Sequence, residues 1–114
     1  MRFSIKRVET IKGLLPVYQL VRDGVGRMDL LLDSHPQDRH ELVRLLTLLN
    51  AFANFRSIPE TCFEDITLGK EKIREYEFRS KKFRIYAIKE EDGAIIIFQA
   101  EPRYRGLGQE QFTP

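Results

Sequence analysis

The stretch EYEFRSKKFRIYAIKEEDGAIIIF, residues 75–98, constrains this chain more than any other, because apolar and polar side chains alternate along it between two turn-like interruptions. Alternation at period two is the pattern of strands with one buried face, so the stretch predicts a three-stranded meander. Taking Lys81-Lys82 as a two-residue turn sets Arg79 opposite Arg84, Phe78 opposite Ile85, Glu77 opposite Tyr86 and Tyr76 opposite Ala87. Tyr76, Phe78, Phe83, Ile85 and Ala87 then share one face, and Glu77, Arg79, Arg84 and Tyr86 share the other. Asp92-Gly93 is a stronger turn signal. It places Ala87 opposite Phe98, Tyr86 opposite Gln99, and Arg84 near Glu101.

The hairpin also holds the charge. The chain has a formal net charge of +2, and residues 70–89 carry eight cations against Glu71, Glu75 and Glu77, a surplus of five. Directly opposed like charges in a sheet destabilise it, so Arg79 facing Arg84 calls for something that offsets the repulsion. Arginine suits phosphate, because its planar donors bind two oxygens and its charge persists at any relevant pH. Tyr86 and, beyond the last strand, Tyr104 supply aromatic surfaces for unpaired bases, and Arg103 and Arg105 add further cations. An ordinary solvated sheet face laced with salt bridges is the competing reading.

The remainder supplies a roof and edges. RFSIKRV alternates Phe3 and Ile5 against Ser4 and Lys6, as a half-buried strand does, and PVYQLVRDG forms a second extended piece ending in a turn at Asp23-Gly24. GRMDLLLDS predicts a short helix and SHPQDRHELVRLLTLLNAFANF a longer one, with Ser34 and Gln37 matching a capping box and Asp38 and Glu41 in the first turn. Leu42, Leu45, Leu46, Leu49, Phe52 and Ala53 line one face of it, which should lie on the sheet. His35 and His40 read as surface residues, and residues 54–70 as a connecting loop with Phe63 and Ile66 turned inward. At 114 residues and 42% hydrophobic content, the whole chain, residues 1–114, reads as one α+β domain with two helices on a small antiparallel sheet made of N-terminal strands and the meander. Leu45, Leu49, Phe52, Phe78, Ile85 and Phe98 are expected in a single core. Arg44 interrupts the richest apolar run, so no membrane span is expected, and the polar N-terminus predicts no signal peptide. The single cysteine, Cys62, fits a half-buried structural role in a reducing, cytoplasmic interior. Neither a cofactor nor a metal is called for.

The order strand, helices, then a meander carrying YEFR, FRIYAI and DGAIIIF resembles the RelE/ParE superfamily of bacterial toxins, especially its HigB-like, phage-derived branch, over roughly residues 2–105. The resemblance implies a RelE-like fold and the toxin component of a type II toxin-antitoxin system. It further implies an mRNA endoribonuclease, ribosome-dependent and metal-independent, that cuts by attack of a ribose 2′-hydroxyl on the adjoining phosphate. Arg84 matches the arginine of the family's Tyr-Arg step and Arg79 the arginine ending the preceding strand, both implied phosphate holders. Glu77 becomes the candidate base, and Tyr86 or Tyr104 the orienting or proton-donating group. Lys81, Lys82, Arg103, Tyr104 and Arg105 are the implied RNA contacts. The implied partners are a cognate antitoxin of helix-turn-helix type, mRNA and the ribosome. Glu75 and Glu77 stand where some RelE nucleases carry lysines, and FQAEPRYRG replaces the frequent Phe-x-Lys-Lys ending. An alternative therefore stays open: a non-enzymatic, ParE-like gyrase inhibitor, or an inactive relic that only binds its antitoxin.

Overall fold

The computed structural model describes residues 1–69 and 72–103. Seven strands and two helices follow in chain order: β1 (Phe3–Arg7), β2 (Val17–Arg22), β3 (Val25–Gly26), α1 (Arg27–Ser34), α2 (Arg39–Ala53), β4 (Phe63–Asp65), β5 (Arg74–Arg79), β6 (Phe83–Lys89) and β7 (Ile95–Pro102). They make one sheet in the order β1-β2-β7-β6-β5-β4, with β3 hairpinned onto β2 and both helices on one face. The α+β class read from the sequence is the class observed. The sheet is mixed rather than wholly antiparallel, because β2 and β7 run parallel, Val17 beside Ile95 and Gln19 beside Ile97. That pair joins residues almost eighty positions apart through the whole helical layer, the kind of connection a parallel pair requires.

Alternation decides what the helices cover. Val17, Phe78, Phe83, Ile85, Ala87, Ile95 and Ile97 point at the helices and are essentially inaccessible to water, where they meet Met28 and Leu31 of α1 and Leu42, Leu45, Leu49 and Ala53 of α2. Leu46 and Phe52 lie at the margin of this core, with Phe52 packed among the rings of Phe63, Tyr76 and Phe78. Gln19 is the one polar side chain of β2 on this side, and its carbonyl oxygen accepts from the Met28 and Asp29 N–H groups at the start of α1, 3.0 Å each. A glutamine from the sheet thus occupies two of the helix's otherwise unpaired donors.

Two hairpin turns explain the register. Between β5 and β6 the pairing is the expected one, Arg79 to Arg84 through Tyr76 to Ala87. Lys81 and Lys82 have none of the positive φ angles that favoured two-residue turns need, and the turn is closed differently. Ser80 N–H donates to the Phe83 carbonyl at 2.9 Å, and the Phe83 N–H donates to the Ser80 hydroxyl at 3.3 Å. Between β6 and β7 the loop has three residues, Glu91 to Gly93, rather than two. Glu90 N–H bonds the Ala94 carbonyl, Gly93 N–H bonds the Glu90 carbonyl, and Gly93 takes φ 97°. The extra residue sets Ala87 opposite Ile97 and not Phe98, so Ile95 and Ile97 enter the core. A bulge beside Tyr86 and Ala87 then absorbs the offset, and Tyr86 meets Gln99 and Arg84 meets Glu101 as expected. Phe98 is the residue displaced: it leaves the core face and packs its ring 6.1 Å from that of Tyr86 on the open face.

Two other expectations change. Ser34 does not cap the long helix, because α1 runs through it, Pro36–Asp38 form a 3-10 turn, and α2 begins only at Arg39 without a side-chain cap. Residues 63–65, expected as loop, pair with β5 as the edge strand β4, Phe63 opposite Phe78 and Glu64 opposite Glu77. Among the described residues no helix is long and apolar enough to cross a membrane.

Candidate functional site

On the open face, at the β5–β6 end, four side chains from two strands converge. Cross-strand pairing of Arg79 with Arg84 and of Glu77 with Tyr86 puts them on one surface, where the repulsion between the arginines is offset by Glu77. Its Oε1 accepts from Arg79 Nη1 at 2.8 Å, and its Oε2 lies 3.4 Å from Arg84 Nη1. The Glu77 side chain is only 10% exposed, so it is a desolvated carboxylate placed between two cations rather than a surface charge. Alternation brought it there, since Glu77 and Arg79 are two residues apart on the same strand.

The two arginines are held differently. Arg79 is held at two nitrogens: Nε donates to the Thr61 carbonyl at 3.0 Å, and Nη1 reaches both Glu64 at 3.1 Å and Glu77. Glu64 and Thr61 come from β4 and the 3-10 turn before it, so the edge of the sheet holds this guanidinium in place. Among the described residues Arg84 makes polar contacts only through Nη1, which donates to the Tyr86 hydroxyl oxygen at 3.0 Å. Its Nε is buried with no hydrogen-bond partner among the described residues. The Nε is shielded while the side chain as a whole is 28% exposed, so an incoming anion oxygen would meet this guanidinium through its outer donors. Both guanidinium pKa values are raised, that of Arg79 chiefly by the bond to Glu64, and that of Arg84 chiefly by the bond to the Tyr86 oxygen, with Glu77 and Glu101 adding attraction.

Of the other expected contacts, Lys81 lies exposed at the tip of the turn. Lys82 turns away from the open face, its Nζ 2.9 Å from Asp38 and its N–H donating to Glu41. Arg103 stays near the turn, with Nη1 on the Ser80 carbonyl at 2.8 Å, rather than joining Arg84. Tyr104 and Arg105 lie outside the described residues. Two residues that organise this end escaped the sequence reading. Glu64 belongs to a strand of three residues, too short for alternation to register. Position in the sequence marks Glu41 only as a favourable charge at a helix start, but it is buried and clasps the hairpin turn to α2. Burial pushes its carboxyl up, yet hydrogen bonds from the Ser80 hydroxyl and the Lys82 N–H bring it below its ordinary value. Among the described residues no three His, Cys, Asp or Glu side chains gather in a way that could hold a metal ion.

The chain matches no protein-family model, no curated protein and no solved structure. The site is therefore read from its own chemistry: an arginine with spare donors, a buried carboxylate loosely shared with it, and a phenol, on an open sheet face.

Proposed function

We propose that this chain is the toxin component of a type II toxin-antitoxin pair and that it cleaves mRNA without a metal at the Arg84 cluster. The observation that carries the reading is the partly exposed Arg84 guanidinium, whose Nη1 donates to the Tyr86 hydroxyl oxygen at 3.0 Å and holds a Glu77 oxygen only loosely at 3.4 Å. A phosphate bound by Arg84 would compete with Glu77 for that guanidinium. Glu77 Oε2 would then be free to take the proton of a 2′-hydroxyl as it attacks the phosphorus. Arg84 would stabilise the charge that builds on the non-bridging oxygens, and Tyr86, whose oxygen accepts from Arg84, keeps its own O–H to donate to the leaving 5′-oxygen. Arg79 acts by positioning Glu77. The antitoxin of this reading is an acidic partner that covers the same cations, with binding that weakens as salt rises.

A second reading has its own support. Glu77 is engaged by two guanidiniums, which suits a binding surface with no need of a base, as in a ParE-like gyrase inhibitor or a relic. Expression of wild type and Arg84→Lys in growing cells, with primer extension on cellular mRNA, separates the two. The lysine keeps the charge and loses the two-oxygen fork, so new RNA ends and growth arrest should both disappear while the fold persists. Growth arrest by wild type without new RNA ends would overturn cleavage and favour the second reading.

A further inference from the structure

The free edge of β1 is built to pair with itself. The Asp23 N–H donates to the Arg2 carbonyl and the Val8 N–H to the Val17 carbonyl, 2.8 Å each, so the even-numbered residues of this strand direct their backbone groups at β2. Phe3, Ile5 and Arg7 consequently direct their N–H and C=O groups outward, and among the described residues nothing pairs with that edge. All five residues of β1 are exposed, so neither face of the strand is roofed by a helix, and Phe3 and Ile5 are 55% and 49% exposed. Edges are commonly guarded by charge, but here both cations are folded back on their own chain. Lys6 is tied to Asp29 at 2.6 Å, and Arg7 lies over the Tyr18 ring at 5.9 Å.

We propose that this edge joins the same edge of a second copy, antiparallel about a two-fold axis at Ile5, to make one continuous sheet. In that register Ile5 meets Ile5 and Phe3 meets Arg7, all hydrogen-bonded pairs, while Ser4 meets Lys6. The six outward groups of each copy are satisfied in six bonds. Every charge faces a neutral residue, and Arg7 gains the Phe3 ring of the other copy. Sliding by one step of the repeat in one direction sets Lys6 against Lys6, and in the other Arg2 against Lys6. Like charges directly opposed disfavour both alternatives. The occupant is selected by this self-complementarity, which a foreign strand would have no reason to share.

Strand addition over five residues buries little surface, so the dimer is weak and dissociates on dilution. Sedimentation equilibrium from low to high micromolar concentration should show a monomer–dimer equilibrium. Ile5→Pro removes only an outward N–H, which an edge strand tolerates, and should weaken the dimer at least about tenfold without disturbing the fold. Register is read in a Cys62→Ser background. Ile5→Cys should oxidise to a covalent dimer, its two Cα atoms lying about 5.5 Å apart across the axis, while Phe3→Cys, about 14–15 Å from its counterpart, should not. A wild type that stays monomeric throughout, an Ile5→Pro variant that dimerises as wild type does, or cross-linking of Phe3→Cys as efficient as that of Ile5→Cys overturns the proposal.

Discussion

The two faces of the sheet solve opposite problems with the same strands. Under the helices, Val17, Phe78, Ile85, Ala87, Ile95 and Ile97 share a dry interior in which water is the only thing excluded and no side-chain charge is needed. On the open face, the β5–β6 end gathers two arginines around a buried carboxylate, and the β1 end leaves Phe3 and Ile5 to solvent. Burial on the first face is nonspecific and additive. On the second, each group depends on a particular partner, which makes it the face where a ligand can change the arrangement. Stability should therefore be concentrated under the helices, and function on the opposite side.

The sharpest way to break that division is Leu49→Ala. Leu49 is fully inaccessible beneath the sheet, and its truncation should cost about 2–5 kcal/mol, read as a fall in the urea midpoint at constant slope. An unchanged midpoint would mean that the helical face does not carry the core. On the open face the largest effect belongs to Glu77→Gln. The amide keeps the shape but removes the counter-charge that Arg79 and Arg84 share, leaving Arg79 only Glu64, at a cost of about 1–3 kcal/mol, which added salt should partly restore. A loss insensitive to salt would point to packing instead. Phe98→Ala comes next. Its ring is half-buried against Tyr86, so about 1 kcal/mol is expected. A cost equal to that of Leu49→Ala would put Phe98 back in the core.

The same contrast explains how much was legible in the chain. Covered faces repeat at fixed spacing, so α2 and the strands facing it could be read, and the β5–β6 register followed residue by residue from alternation. The loop at Glu91 to Gly93 is one residue longer than its sequence signals, because Asp-Gly serves both a two-residue turn and the end of a three-residue loop with glycine at positive φ. That one residue moved Phe98 to the other face and brought Ile95 and Ile97 in. The bulge then restores the register at Tyr86 and Arg84, which is why Tyr86 opposite Gln99 and Arg84 opposite Glu101 follow from either loop length. The parallel pairing of β2 with β7, the strand at Phe63–Asp65 and the Glu41 clasp all depend on partners far away in sequence, and no local pattern encodes them. Pro36 had a local effect that outweighed the Ser34 capping signal: it starts a 3-10 turn and delays the helix to Arg39.

The smallest expected effect tests what fastens one face's roof to the hairpin that carries the other face's site. Asp38, just before α2 and half-buried, and Lys82, exposed in the β5–β6 turn, meet at 2.9 Å. The bond from Lys82 is the main reason the Asp38 carboxyl lies below its ordinary value, and the bond to Asp38 is the main reason the Lys82 ammonium lies above its own. A lowered carboxyl contributes stability above its unfolded value and loses it as pH falls through the folded one. A raised ammonium contributes below its unfolded value and loses it as pH rises through the folded one. Wild type should therefore have a slightly higher urea midpoint than Lys82→Ala at neutral pH, and the gap should close at both extremes: in acid below the ordinary aspartate range, and in alkali above the ordinary lysine range. The Lys82 N–H bond to Glu41 survives the substitution, so the turn keeps its backbone clasp. A gap that persists in acid would mean that the lysine stem stabilises the turn by packing over α2, and that charge is not what fastens the hairpin to its roof.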